Sequence, residues 1–344
     1  ALGQALALTE STNRYELADF SEYNDIFLLH NSSGKLNGVK ESIFMENIKD
    51  YSGRWRWNMV NDFRPQSIES SGIKCYPTAN YVNYYGMQNG YPINDMTKAD
   101  AESGYDPTHP WKNRDPRFYK TIMFDGVKWK STGGAGGTAE LFTGGRESEE
   151  ANEKKGCFTA YMNSKLCPQL MNTVDGYKEN NIMILSLMRL ADVYLMYAEA
   201  TAVGYNGPKG KAATYSLTAE EALNKIRERA GVAPVLDKFL GSTADFLSEL
   251  RRERAVELSF EGFRFIDLRR WMLLTQYPYT LKTKIEFDRA DPNDYNYDEP
   301  EENAIKNLRE VVLLERKYTD RHYWYPLPKK DVSMYEGFYQ NPGW

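Results

Sequence analysis

The stretch RRERAVELSFEGFRFIDLRRW, Arg251–Trp271, carries more charge among large apolar residues than any other part of the chain. Leu250, Arg254, Leu258 and Glu261 recur at helical spacing and share one face. Arg254, Glu257, Glu261 and Arg264 follow at steps that predict a ladder of alternating basic and acidic partners along a helix. Gly262 marks a turn, with a short second helix after it. Leu258, Phe260, Phe263, Phe265, Ile266 and Leu268 surround these charges, so the ladder is expected to be desolvated, and desolvated charges persist only when paired. Arginines this close would hold the carboxylates ionised and low in pKa, which removes the proton a general acid needs. Arg254, Glu257, Glu261, Arg264 and Asp267 therefore read as a structural set and not as a catalytic one.

Composition narrows the function. The 344 residues are 41% hydrophobic, enough for a folded core. A net charge of −5, with no basic cluster larger than Arg251, Arg252 and Arg254, argues against nucleic acid as a partner. Aromatic residues make up 14% of the chain, with 25 Tyr and 7 Trp, side chains that combine a flat apolar face with a polar handle and so suit capture of carbohydrate or peptide. Cys75, Cys157 and Cys167 have no zinc spacing, although Cys157 and Cys167 could pair in an oxidising compartment. No apolar run is long enough for a membrane span and no signal peptide opens the chain.

Three further stretches stand in order with the first. They are NRDPRFYKTIMFDGVKW (Asn113–Trp129), MRLADVYLMYAEA (Met188–Ala200) with ALNKIRERAGV (Ala222–Val232), and the closing HYWYPLPKKDV to QNPGW (His322–Trp344). Together with Arg251–Trp271 they resemble the SusD/RagB family, surface lipoproteins that capture nutrients for an outer-membrane transporter in Gram-negative bacteria. The resemblance implies a mainly α fold, a tetratricopeptide-like helical-repeat scaffold with long irregular loops and a few short strands. It also implies a non-catalytic protein that binds oligosaccharide, or peptide in some relatives. That protein has no cofactor, sits at the outer membrane facing outward on an N-terminal lipid anchor that this chain does not carry, and delivers its cargo to a TonB-dependent transporter of the SusC/RagA kind.

On this reading the chain is a single domain lacking its N-terminal part. Residues 1–48 hold the end of the helical repeat region and a strand within Val39–Ile48, after a short helix within Tyr15–Phe27. Residues 50–180 are irregular and aromatic-rich, 182–271 hold a helical pair and the signature helix, and 272–344 are C-terminal loops and tail. Ile182–Gly204 is predicted as one helix, with Leu187, Leu190, Ala191, Tyr194, Leu195, Ala198 and Ala202 as its apolar stripe. Thr218 and Glu221 form a capping box for the next helix, Gly231 and Pro234 end it, and Ser242 with Asp245 open the signature helix. Asn113–Trp129 is predicted as an extended piece leading into a strand, a turn at Asp125–Gly126 and a strand. Ser131–Gly145 is glycine-rich and reads as a mobile loop, without the residues of a phosphate loop.

The ligand is expected in the irregular region. A sugar ring offers C–H groups on its faces and hydroxyls at its rim, so a site for it needs an aromatic plate and amide or carboxylate partners. GRWRWNMVNDF supplies Trp55, Trp57, Asn58 and Asp62, and ANYVNYYGMQNGY supplies Tyr81, Asn83, Tyr84 and Tyr85. The bland alternative for each aromatic is packing beneath a long loop. Asp298, Glu299, Glu301 and Glu302 could hold calcium, but their spacing is not that of a calcium loop and a solvated acidic loop explains them. A glycoside hydrolase is the competing class; it needs two carboxylates across a cleft about 5–5.5 or 6.5–9.5 Å apart. A purely structural helical adaptor is the third.

Overall fold

The computed structural model describes residues 1–29, 39–45, 76–95, 98–131, 137–151, 156–166, 175, 182–183 and 186–344. Its helices in chain order are α1 (Leu2–Thr12), α2 (Ala79–Val82), α3 (Pro116–Thr121), α4 (Leu190–Gly204), α5 (Ala219–Ala230), α6 (Thr243–Glu257), α7 (Phe263–Arg270) and α8 (Lys329–Val332). The strands are β1 (Leu28–Leu29), β2 (Ser42–Met45), β3 (Ile93–Asp95), β4 (Lys98–Ala99), β5 (Ile122–Met123), β6 (Met162–Asn163), β7 (Ile182–Met183), β8 (Ser186–Arg189), β9 (Leu281–Arg289) and β10 (Ile305–Glu315). Described strands form two-stranded antiparallel pairs: β1 with β7, β2 with β8, β3 with β4, β5 with β6, and β9 with β10.

Local chemistry sets the helical frame as expected. Thr218 Oγ1 accepts the Glu221 N–H at 3.2 Å while the Glu221 carboxylate accepts the Thr218 N–H at 2.7 Å, and Gly231 closes α5 at φ 73°. Ser242 Oγ accepts the Asp245 N–H at 3.1 Å and starts α6. One core joins α4, α5 and α6 through Leu190, Leu195, Ala198, Leu223, Ile226, Phe246 and Leu250, with Leu6 of α1 added. Small alanines on α4 let the helices approach closely. This is the mainly α, tetratricopeptide-like scaffold that the sequence predicts.

Three expectations change. The helix predicted from Ile182 begins at Leu190, because Ser186–Arg189 is taken up by pairing with Ser42–Met45; Leu187 is then 53% exposed instead of belonging to a buried stripe. Asn113–Trp129 contains a helix where an extended piece is expected. Asp115 accepts the Arg117 N–H at 2.9 Å, and Pro116 sits at the first helical position, where its missing N–H costs nothing. Residues 272–344 are more than loops, since β9 and β10 form the longest strand pair; the alternation in LKTKIEFDR, with Thr283, Ile285, Phe287 and Arg289 buried, is a period-two signal. Trp324 and Tyr325, near the C-terminal end, are 59% and 63% exposed.

The described part of the aromatic-rich region makes a second core. Trp111 is fully buried, with ring centroids 5.0 Å from Phe124 and 5.2 Å from Phe287, and Trp129, Tyr85, Phe118 and Tyr161 join it. Cys157 is buried there, its Sγ donating to the Tyr161 carbonyl at 3.1 Å, and burial pushes its thiol up to about 11. Cys75 and Cys167 lie outside the described residues, as does Gly-rich 132–136. Among the described residues no helix is long and apolar enough to cross a membrane.

Candidate functional site

Arg251–Trp271 folds as a helix, a reversal and a second helix. The reversal runs from Leu258 to Gly262, with Phe260 at φ 61° and Gly262 at φ 88°. Because α6 ends at Glu257, Glu261 is not on the same helix face and the expected ladder does not close on itself. The partners come from other elements. Glu257 is fully buried and its carboxylate accepts from Arg189 at 2.7 Å, from Arg117 at 3.0 Å, and from Arg229. Glu261 accepts from Arg189 Nε at 2.8 Å and from Lys165 Nζ at 2.7 Å. Arg254 reaches Asp192 at 2.9 Å and Asp267 at 3.0 Å.

Arg189 is the hub. Its extended backbone just before α4 sends the guanidinium between Glu41 of β2's edge at 2.6 Å, Glu257 and Glu261. The network thereby ties residues 41, 117, 165, 189, 229 and 257 into one cluster. The Glu257 carbonyl, at the C-terminus of α6, also accepts from Arg189 at 2.6 Å and Lys165 at 2.9 Å, placing cations where helix carbonyls lack partners.

Burial would raise the Glu257 pKa, but the guanidiniums of Arg229, Arg189 and Arg117 outweigh it and hold the carboxyl well below the usual range. Burial likewise opposes, and Arg252 and Arg227 overcome, at Glu249, which falls to about 2. Burial lowers Lys165 to about 8, against the pull of Glu261. Acids held ionised in this way form charge-paired struts, with no proton to donate.

Of the expected platform residues, Trp55, Trp57, Asn58 and Asp62 lie outside the described residues. The other four cluster on α2 and the turn after it, where they fasten that turn to the signature segment. Tyr85 is fully buried, donates to Ser259 Oγ at 2.7 Å, and presents no ring face to a ligand. Tyr81 donates to the Ala255 carbonyl at 2.7 Å and packs on Phe260. Asn83 is buried and donates to Glu310 at 3.2 Å. Tyr84 accepts from Arg264 Nη2 at 2.7 Å, with the guanidinium 4.6 Å from its ring centroid. Geometry therefore brings these four together as packing residues, the bland alternative, with Asn83 and Tyr85 buried and Tyr81 and Tyr84 half-buried.

Arg264 is the member of the structural set that takes no acid partner among the described residues. Sequence reading missed the Tyr279 ring beside it, because Tyr279 falls in a region read as loop. Of the acidic stretch, Glu302 accepts from Lys112 at 2.5 Å and Glu299 from Asn296 at 3.4 Å. Among the described residues no group of three or more His, Cys, Asp or Glu is placed to hold a metal ion.

The sequence pattern of the SusD family matches residues 40–344, which includes every element of the ion network. The chain belongs to the SusD family. Among solved structures, a SusD-like protein from Bacteroides fragilis superposes with a TM-score of 0.69 at 23% identity, over 96% of this chain and 59% of that one. A SusD-like carbohydrate-binding protein from the same species gives 0.65 at 20% identity, over 96% and 59%. A SusD superfamily protein from Parabacteroides distasonis gives 0.53 at 18%, over 98% and 56%. These likenesses establish the SusD fold, and the chain spans less than two thirds of each structure's length. A search of curated proteins found no match.

Proposed function

We propose that this SusD-family chain captures oligosaccharides without cleaving them and passes them to a TonB-dependent outer-membrane transporter of the SusC/RagA kind. The observation that carries the reading is the family match across residues 40–344. The chemistry of the carboxylates agrees with it. The signature segment's acids are buried and paired with arginine, so they cannot serve as a proton donor beside a glycosidic bond. Binding then rests on stacking against aromatic rings and hydrogen bonds to amides, on the outer face of the cell.

Trp55 and Trp57, with Asn58 and Asp62 beside them, are the proposed plate and rim. Replacing both tryptophans with alanine is expected to cost about 2 kcal/mol or more of affinity, the scale of a truncated aromatic anchor. The melting temperature should stay unchanged. Retention of immobilised glycans by wild type and by the W55A/W57A variant measures this. Equal retention would move the site away from these residues.

A further inference from the structure

Beside the ion network, cations gather without an acid. The Arg264 guanidinium lies between two aromatic rings, 4.6 Å from the centroid of Tyr84 and 5.6 Å from that of Tyr279. Its Nη2 donates to Tyr84, while its Nη1 is buried with no hydrogen-bond partner among the described residues. Lys282 stands on β9 opposite Leu314 of β10. Arg316 follows β10; its N–H donates to the Thr280 carbonyl at 2.9 Å and its Nη1 to Tyr318 at 2.7 Å. Among the described residues Arg264, Lys282 and Arg316 take part in no ion pair, unlike the arginines of the network a few residues away.

These charges act on one another. Burial pushes the Lys282 ammonium down to about 8, and the guanidiniums of Arg316 and Arg264 push it the same way. Arg264 and Lys282 are half-buried and Arg316 is exposed; like charges repel more strongly as they leave water, and a buried donor without an acceptor, as at Arg264 Nη1, carries the full cost of its lost hydration. An anion that enters the cluster removes both penalties.

We propose that Arg264, Lys282 and Arg316 bind the carboxylate of an acidic saccharide. A carboxylate is planar and accepts two parallel N–H bonds from a guanidinium, while the lysine adds a point charge. Tyr277, 76% exposed and two residues before Tyr279, supplies an apolar face for the C–H side of the ring. A neutral sugar leaves the three charges uncompensated. The inference rests on the saccharide-binding reading above and narrows it to anionic glycans.

The test is calorimetric titration of the whole chain with tetragalacturonate, with a neutral tetrasaccharide such as maltotetraose, and with inorganic phosphate. Wild type is expected to bind tetragalacturonate, more weakly as salt is raised. K282M and R316Q should each weaken it by about tenfold, the scale of one charge-assisted hydrogen bond, and K282R should restore it. Both positions lie at the surface end of a strand, and melting curves of all three variants should overlay wild type. Equal affinity for tetragalacturonate in wild type and both variants would overturn the inference, as would its failure to bind. Binding of the neutral tetrasaccharide in that case leaves the saccharide reading standing, whereas binding of neither contradicts both. Phosphate bound in place of any saccharide would mark a simple anion site and would also overturn it.

Discussion

Replacing Glu257 with alanine is expected to lower stability by about 3–5 kcal/mol, the cost of stripping one partner from a buried ion pair. The carboxylate is fully buried and serves Arg117, Arg189 and Arg229 together. Among the described residues, its removal leaves Arg229 with Glu41 as its acid partner and takes from Arg189 one of its three acids. Bulk water has little access to the gap, because Arg117 and Arg189 are themselves at most 1% exposed. Against a typical total of about 5–15 kcal/mol, such a loss is a large part of the fold. Urea denaturation read by circular dichroism checks it, and E257Q should fall between wild type and E257A because it keeps the shape but not the charge. A change within about 0.5 kcal/mol would mean that the cluster is hydrated and not a keystone.

Acid should dismantle the same cluster. Glu249, Glu257 and Glu261 all have folded pKa values below the ordinary 4.5, and Glu249 lies at about 2. A carboxyl depressed by folding contributes its full stability above the unfolded value and loses it as pH falls toward the folded value. The displacement at Glu249 corresponds to about 3 kcal/mol at neutral pH. Asp192 works in the opposite direction, since burial raises its pKa. The net expectation is a urea midpoint that is flat near neutrality and drops steeply below about pH 4.5. A midpoint unchanged down to pH 3 would contradict the pairing described here.

Helix caps and the family were legible in the sequence because they depend on local spacing. Thr218 and Glu221 sit three residues apart whatever the rest of the chain does, and Ser242 and Asp245 do the same. The pairing of Glu257 was not legible, because its partners stand at 117, 189 and 229 and only the fold brings them together. Helical spacing pointed instead to Arg254 and Glu261 as its neighbours, and the reversal at Leu258–Gly262 removes that geometry. β9 was legible in the alternation of LKTKIEFDR but was masked by the polar, proline-broken sequence after it. Aromatic density around Tyr81–Tyr85 pointed to a ligand platform; composition could not tell that Tyr85 donates to Ser259 while Tyr84 accepts from Arg264.

The most direct measurement for the functional reading is titration of the purified chain with a panel of neutral and acidic oligosaccharides, with the products analysed after prolonged incubation. The proposed function predicts saturable binding of at least one glycan and recovery of that glycan uncut. Release of shorter products, or no binding across the panel, would contradict it.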